Sequence, residues 1–309
     1  MHVESDTKQS TSGRPATNAC AEPCCPVCDG SVTTKLKFRV NGMKIYGCTV
    51  CGVEFQAPQP SDARLSAIYS SNYFIGSESA ESRARVSALK NATAAEYLAT
   101  IKPFINRDGV RLLEVGCGSG DFLFEAQSQG FEVEGLEYSE HAAEQANRRL
   151  GAPRVHVGSL DTAPLPDNTY DVVAAFDVLE HVRNPRFCAE LLYKSIKPGG
   201  IIALVTPSLD SWSRRVLGQH WMEYKTEHLT YFNKKSLRIL LRNAGFSDIS
   251  FSPNFKVLTL DYICRHFDRY PVHVVSPILK RVRTATPNRL AHTSFKIVAS
   301  GIMAIGRKK

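Results

Sequence analysis

The sequence predicts an α/β fold: a doubly wound parallel sheet flanked by helices, with a small cysteine module in front and a substrate cap behind. Three observations predict it. From residue 111 onward, short apolar runs alternate with stretches of helical periodicity. The first of those runs enters the loop Gly116-Cys117-Gly118-Ser119-Gly120. Ahead of it stand two Cys-x-x-Cys pairs, Cys25/Cys28 and Cys48/Cys51.

Residues 1–22, rich in Ser, Thr and small side chains, read as a disordered tail. Residues 23–60 carry the cysteine pairs and close on Pro58 and Pro60. Between 80 and 101, Val86, Leu89, Tyr97 and Ile101 recur at helical spacing. The alternation then begins. Residues 111–115 form a short strand, 122–129 a helix stopped at Gly130, and 131–137 a second strand. Ser139 caps a helix that runs to Leu150, with Gly151 just past its end. A third short strand precedes Gly158. Residues 171–176 are apolar on both faces, as a buried parallel strand should be. Asn184-Pro185 gives an N-cap followed by proline at the first helical position. That helix is expected to turn Phe187, Leu191, Leu192 and Ile196 inward and to stop at Pro198-Gly199-Gly200. Residues 201–206 are another buried strand. Asn233 caps a helix with Leu237, Leu240, Leu241 and Ala244 that ends at Gly245. Repeated β-α units imply a parallel sheet with helices on both faces. Two segments break the alternation: 209–232, rich in aromatics and His, and 259–296, basic and irregular. They are the expected cap insertions of a domain spanning 61–309.

In open parallel sheets ligands bind at the carboxyl ends of the strands. The loop's Gly-x-Gly-x-Gly spacing departs from the Gly-x-Gly-x-x-Gly of dinucleotide enzymes. Glu137, at the end of the second strand, is placed to accept ribose hydroxyls. Gly158-Ser159-Leu160-Asp161 lies where an adenine edge would fall, and Phe176-Asp177-Val178-Leu179-Glu180-His181-Val182 follows the fourth strand. On these residues the run 112–200 resembles the class I S-adenosylmethionine-dependent methyltransferases, in particular the small-molecule branch. The resemblance implies a Rossmann-like, seven-stranded, mostly parallel sheet. Its last strand, about 297–305, would insert antiparallel beside the fifth. It further implies that Glu114, Gly116, Cys117, Gly118 and Gly120 line the cofactor's methionine end. Glu137 and Tyr138 would take the ribose side, Ser159 and Leu160 would flank the adenine, and Asp177 would sit by the sulfonium. The family often has Asp after Gly158, where this chain has Ser159.

The two cysteine pairs are separated by 19 residues, the spacing of a zinc ribbon. Four thiolates, Cys25, Cys28, Cys48 and Cys51, would make a closed, structural Zn2+ site. An N-terminal ribbon, a Tyr69-x-x-x-Tyr73 segment and then the core is similar to a bacterial group associated with sugar and secondary-metabolite methylation. Tyr69 and Tyr73 are expected either over the cofactor or between ribbon and core.

Methyl transfer to an alcohol needs alignment and a group that takes the hydroxyl proton, a role that suits histidine. His181, after the fourth strand, and His228, in the first cap segment, are the candidates.

The net charge is +8, and 259–309 holds ten Lys or Arg against two Asp. That basic region suggests a phosphorylated or lipid-linked acceptor, with peripheral membrane contact. No apolar run is long enough to span a bilayer and residues 1–23 are polar, so a cytoplasmic location is expected. The leading expectation is methylation of a small-molecule hydroxyl on a sugar, glycan precursor or related metabolite. Two alternatives stand beside it: a nucleic-acid methyltransferase gripping RNA through ribbon and basic region, and a non-catalytic binding protein that keeps the fold.

Overall fold

A computed structural model describes residues 23–28, 32–70, 80–105, 107–160, 162–269, 271 and 275–309. The expected tail at 1–22 and Tyr73 lie outside these, as does the side chain of Tyr69. The chain opens with strands β1 (Thr34–Val40), β2 (Met43–Cys48) and β3 (Glu54–Gln56), then helices α1 (Asp62–Ser70) and α2 (Ala80–Ile101). The alternation follows as β4 (Arg111–Val115), α3 (Asp121–Ser128), β5 (Glu132–Glu137), α4 (Glu140–Leu150), β6 (Val155–Val157), β7 (Tyr170–Phe176), α5 (Pro185–Ser195) and β8 (Ile196–Pro207). Then come α6 (Trp212–Leu217), β9 (Thr230–Tyr231), α7 (Lys234–Asn243) and β10 (Phe246–Thr259). Helices α8 (Leu260–Arg269), α9 (Val275–Ala285) and α10 (Asn288–Ala291) lead into β11 (Ser294–Lys308).

The seven-stranded sheet has the order β10-β11-β8-β7-β4-β5-β6. Its five strands from β8 to β6 are parallel, and β11 runs antiparallel to both of its neighbours. The fold is thus the Rossmann-like one, with the last strand inserted beside β8. Alternation along each strand makes it doubly wound. Leu113, Val173, Ile202 and Leu204 join a core with Leu192, Leu237 and Leu240 from α5 and α7. Leu112, Val172, Ala174 and Ala203 join a second core with Leu98, Leu123 and Ala143 from α2, α3 and α4. Local signals act as expected: the Ser139 side chain accepts from Ala142 N, Gly151 is left-handed, and Asn233 makes a capping box with Ser236.

Three details differ from the sequence expectation. Helix α5 stops at Ser195, and Ile196 already belongs to β8. Phe187 is 45% exposed rather than inward, because the stripe that faces the core is Cys188, Ala189 and Leu192, and a neighbouring position points about 100° away. Strand β10, 14 residues long, gives no strand signal because it is an edge strand with one half-buried face and two bulges, and it carries Pro253.

The two expected cap segments have different fates. The 259–296 stretch is mostly three helices inserted between the antiparallel strands β10 and β11. In 209–232, strand β9 pairs with β3, through Glu54↔Tyr231 and Phe55↔Thr230. A four-stranded sheet, β1-β2-β3-β9, is the result. Around it Trp221, Tyr224 and Tyr231 pack on Met43 and Ile45 in a core of their own. The cysteine-bearing strands and the first cap segment therefore share one sheet and one core.

Candidate active site

A cavity of about 850 Å³ opens over the carboxyl ends of β4, β5 and β7. One wall is the glycine loop. Gly116 adopts φ +69°, and a Cβ there would stand 2.5 Å from Val178 Cγ2. At Gly118 (φ +53°) a Cβ would meet nothing within 4 Å, so this backbone faces open cavity. Its N–H donates to Glu137 Oε2 at 2.8 Å, and Ser139 N donates to Oε1 at 2.8 Å. The loop thereby holds the Glu137 carboxylate at the end of β5. Gly120 stands back from the cavity: it opens α3, with its Cα side against Ala146, so it shapes the loop rather than lining the cavity.

Glu114 is buried at the start of the loop, and its Oε2 finds no hydrogen-bond partner among the described residues. Burial first, then the Asp121 and Glu137 carboxylates, push its pKa well above the ordinary range. Such a group suits an ammonium ligand. Cys117 is buried against Gly135, and its thiol pKa is raised mainly by burial. Tyr138, 65% exposed, Ser159 and buried Leu160 also line the cavity. Asp177 lines it from the end of β7, in a left-handed backbone (φ +53°), and accepts from Lys256 Nζ at 2.9 Å. Burial pulls the Lys256 pKa down, but Asp177 and then Tyr97 more than reverse it, so the ammonium is held well above its usual range. Lys256 comes from β10 and belongs to no sequence motif. An acid-to-base pair reaching across an edge strand gives no local signal.

The opposite wall joins the two sequence candidates. The His181 and His228 rings meet edge to face with centroids 4.7 Å apart. His181 Nδ1 lies 3.0 Å from the Glu227 carbonyl and His228 Nδ1 2.9 Å from the Glu223 carbonyl. A carbonyl only accepts, so each Nδ1 donates, and a neutral ring then carries its lone pair on Nε2. Burial lowers the His181 pKa to about 4, and burial followed by the neighbouring His181 pushes His228 well below its usual value. Glu180, 1% exposed, accepts from Thr206 Oγ1 at 3.0 Å through Oε2. Its main-chain carbonyl accepts from Leu229 N at 2.7 Å, which fixes the His228 segment against the end of β7. Glu180 stands inside the motif after the fourth strand, yet the sequence alone assigns it no role; a carboxylate adjoining a candidate base is the available signal.

Away from the cavity, the Sγ atoms of Cys25, Cys28, Cys48 and Cys51 all lie within 4.8 Å of one another. Cys25 and Cys51 are 3.7 Å apart, Cys28 and Cys48 4.0 Å. A tetrahedron with Zn–S bonds of about 2.3 Å has edges of about 3.8 Å. The N–H groups of Val27 and Cys28 point at Cys25 Sγ, and that of Cys51 at Cys48 Sγ. The donor set thus fits a closed zinc site, and exposed Cys24 is not part of it.

The basic C-terminal stretch is largely engaged within the chain. Arg265 and Arg283 pair with Asp261, Lys280 with Asp268 and Lys296 with Glu96. Arg307 and Lys308 donate to main-chain carbonyls. No helix among the described residues is long and apolar enough to cross a membrane.

Comparison with known proteins gives the family and the fold. A family model described as "Methyltransferase domain" matches residues 82–250. A probable S-adenosylmethionine-dependent methyltransferase of Mycolicibacterium smegmatis is 33% identical over 143 residues, covering 45% of this chain and 52% of that one. A ubiquinone biosynthesis O-methyltransferase of Schizosaccharomyces pombe is 31% identical over 135 residues, 40% of this chain and 48% of the relative. The chain spans from about a third to about half of the length of the curated relatives it matches. The YcgJ protein of Bacillus subtilis shares the fold, with a TM-score of 0.51 at 15% identity over 70% of this chain and 98% of that one. The chain belongs to the methyltransferase-domain family, with the fold of the class I S-adenosylmethionine-dependent enzymes.

Proposed function

We propose that the protein transfers a methyl group from S-adenosylmethionine to a hydroxyl of a small molecule, a sugar, glycan precursor or related metabolite. One observation carries this reading: a single cavity has the glycine loop and Glu137 on one wall and the paired histidines on the other. The cofactor, when bound, supplies a methyl on a positively charged sulfur that departs with its own electron pair. Gly118 offers close backbone approach, with Gly116 and Cys117 beside it in the same wall, and Glu114, whose Oε2 has no hydrogen-bond partner among the described residues, suits the amino-acid end. Glu137 would take the ribose hydroxyls, with Tyr138 beside them, and Ser159 and Leu160 the adenine. Asp177 would sit near the sulfonium. His181 and His228 form the wall that faces the acceptor hydroxyl and so aim its oxygen at the methyl carbon. The relatives named as O-methyltransferases support oxygen as the acceptor atom. The four cysteines hold a structural Zn2+ that organises the shared sheet.

A lipid-linked acceptor is the second reading, and helix α9 favours it. Ile278 and Val282, one turn apart, are 54% and 45% exposed beside Lys280 and Arg281. The phosphate contact that the charge of the basic region suggests is weakened by its internal ion pairs. The test is transfer of labelled methyl to sugars, nucleotide sugars and lipid-linked glycans, with calorimetry of cofactor binding alongside. His181→Ala and His228→Ala are expected to lower turnover while the cofactor still binds. Unchanged turnover in both removes the histidines from the chemistry.

A further inference from the structure

We propose that Glu180, His181 and His228 form a second metal site, for a divalent first-row transition ion, on the acceptor side of the cavity. The inference deepens the methyltransferase reading and rests on it for the acceptor's position, though not for the binding of the ion itself. Each of the three residues can present one ligand atom, and these atoms lie within 4.8 Å of one another. A shell with bonds of about 2.1 Å is reached from that span by small side-chain rotations.

Three features of the cluster point to a cation. The first is the carboxylate. Glu180 is 1% exposed, and its Oε1 has no hydrogen-bond partner among the described residues. A buried, half-satisfied carboxylate is costly unless something compensates it. Its other oxygen is oriented by Thr206 Oγ1. The second feature is the imidazoles. Both direct Nδ1–H at a main-chain carbonyl, Glu227 for His181 and Glu223 for His228. Metal-ligating histidines are held in this way, with the ring orientation and the ligating Nε2 set by the outer hydrogen bond. The third is position. All three residues line the cavity, so coordination positions away from the protein face the space the acceptor occupies.

The donor set is two imidazoles and one carboxylate. It matches the intermediate, nitrogen- and oxygen-preferring ions, and differs from the soft four-thiolate cluster in the ribbon. The two sites thus differ in donor chemistry: the thiolates suit Zn2+, and the cavity set suits a borderline ion such as Mn2+, Fe2+ or Zn2+. An acceptor oxygen that ligates this ion would be oriented and its hydroxyl acidified, so that its proton could pass to water while the oxygen takes the methyl and the sulfur leaves with the C–S electron pair.

The test uses Mn2+ as the probe, with full-length protein carrying one equivalent of zinc. Loss of the free-ion electron paramagnetic resonance signal counts bound Mn2+. The expected result is one Mn2+ per chain, with affinity reduced at least tenfold in Glu180→Gln and in His228→Ala. Glu134→Gln, far from the cluster, should bind as the parent does. If the parent leaves the free-ion signal unchanged in excess protein, the site does not exist. The proposal is equally overturned if both cluster variants bind Mn2+ as tightly as the parent. Cofactor calorimetry on the same samples separates the two ideas: S-adenosylmethionine binding with no Mn2+ binding overturns the metal site and leaves the methyltransferase reading standing.

Discussion

Replacing Gly116 with Ala tests the cofactor loop where its geometry is most demanding. The residue sits at φ +69°, and a Cβ would stand 2.5 Å from Val178 Cγ2. A non-glycine residue in that left-handed region costs about 1–2 kcal/mol. The methyl contact adds an overpacking cost of about 1–3 kcal/mol, because a β-branched valine has little rotamer freedom to withdraw. Together the loss is about 2–5 kcal/mol, a large share of the roughly 5–15 kcal/mol that holds a domain folded. The two parts can be separated. Val178→Ala removes the offending methyl, so the double variant should recover the overpacking part and retain the backbone part. Urea unfolding of the parent, both single variants and the double variant gives the coupling directly. The expected coupling is about 1–3 kcal/mol in favour of the double variant. Additivity within about 0.5 kcal/mol, or a Gly116→Ala protein as stable as the parent, refutes the steric argument.

Three further outcomes follow from other parts of the structure. Glu137→Gln keeps the shape but loses the charge that would meet the ribose; a charged hydrogen bond is worth about 1.5–3 kcal/mol, so cofactor affinity should fall about 10–100-fold by calorimetry, and unchanged affinity denies the ribose role. Metal analysis should find one zinc per chain, and stripping it should depress methyl transfer before cofactor binding, since β3 and β9 share the ribbon sheet while the glycine loop does not. Burial alone would raise the Asp261 pKa, but the hydrogen bond from Arg283 and the charge of Arg265 outweigh it and hold it below the usual aspartate range. Its contribution is present at neutral pH and lost as acid protonates the carboxylate. Amide exchange in α9 should therefore quicken below about pH 4, and Asp261→Asn should show the same quickening at neutral pH.

The sequence is legible where local chemistry and long-range geometry coincide. Strands β4, β7 and β8 announce themselves by runs of apolar residues, and Ser139, Asn184 and Asn233 mark helix starts by side chains that cap them. His181 and His228 stand out by residue type, and the structure brings their rings together. Glu180 does not stand out, because a carboxylate in a strand-end motif looks the same whether it meets solvent or is buried. Lys256 and β10 are hidden for a different reason. An edge strand with mixed polarity has no period to read, and its ion pair to Asp177 closes across 79 positions. The strand β9 is two residues long, and its pairing with β3 is a tertiary fact that no window of sequence contains.

That pairing also sets an order of events during synthesis. Phe55 and its partner Thr230 are about 175 positions apart. At about 5–20 residues per second, roughly 10–35 s pass between the emergence of one and the other from a ribosome. For that interval strands β1, β2 and β3 display β3 as a raw edge. The edge is three residues long, short enough to give a stray strand little to pair with. The nascent chain thus carries this sheet unfinished for that interval, and the residues that complete it are those beside His228.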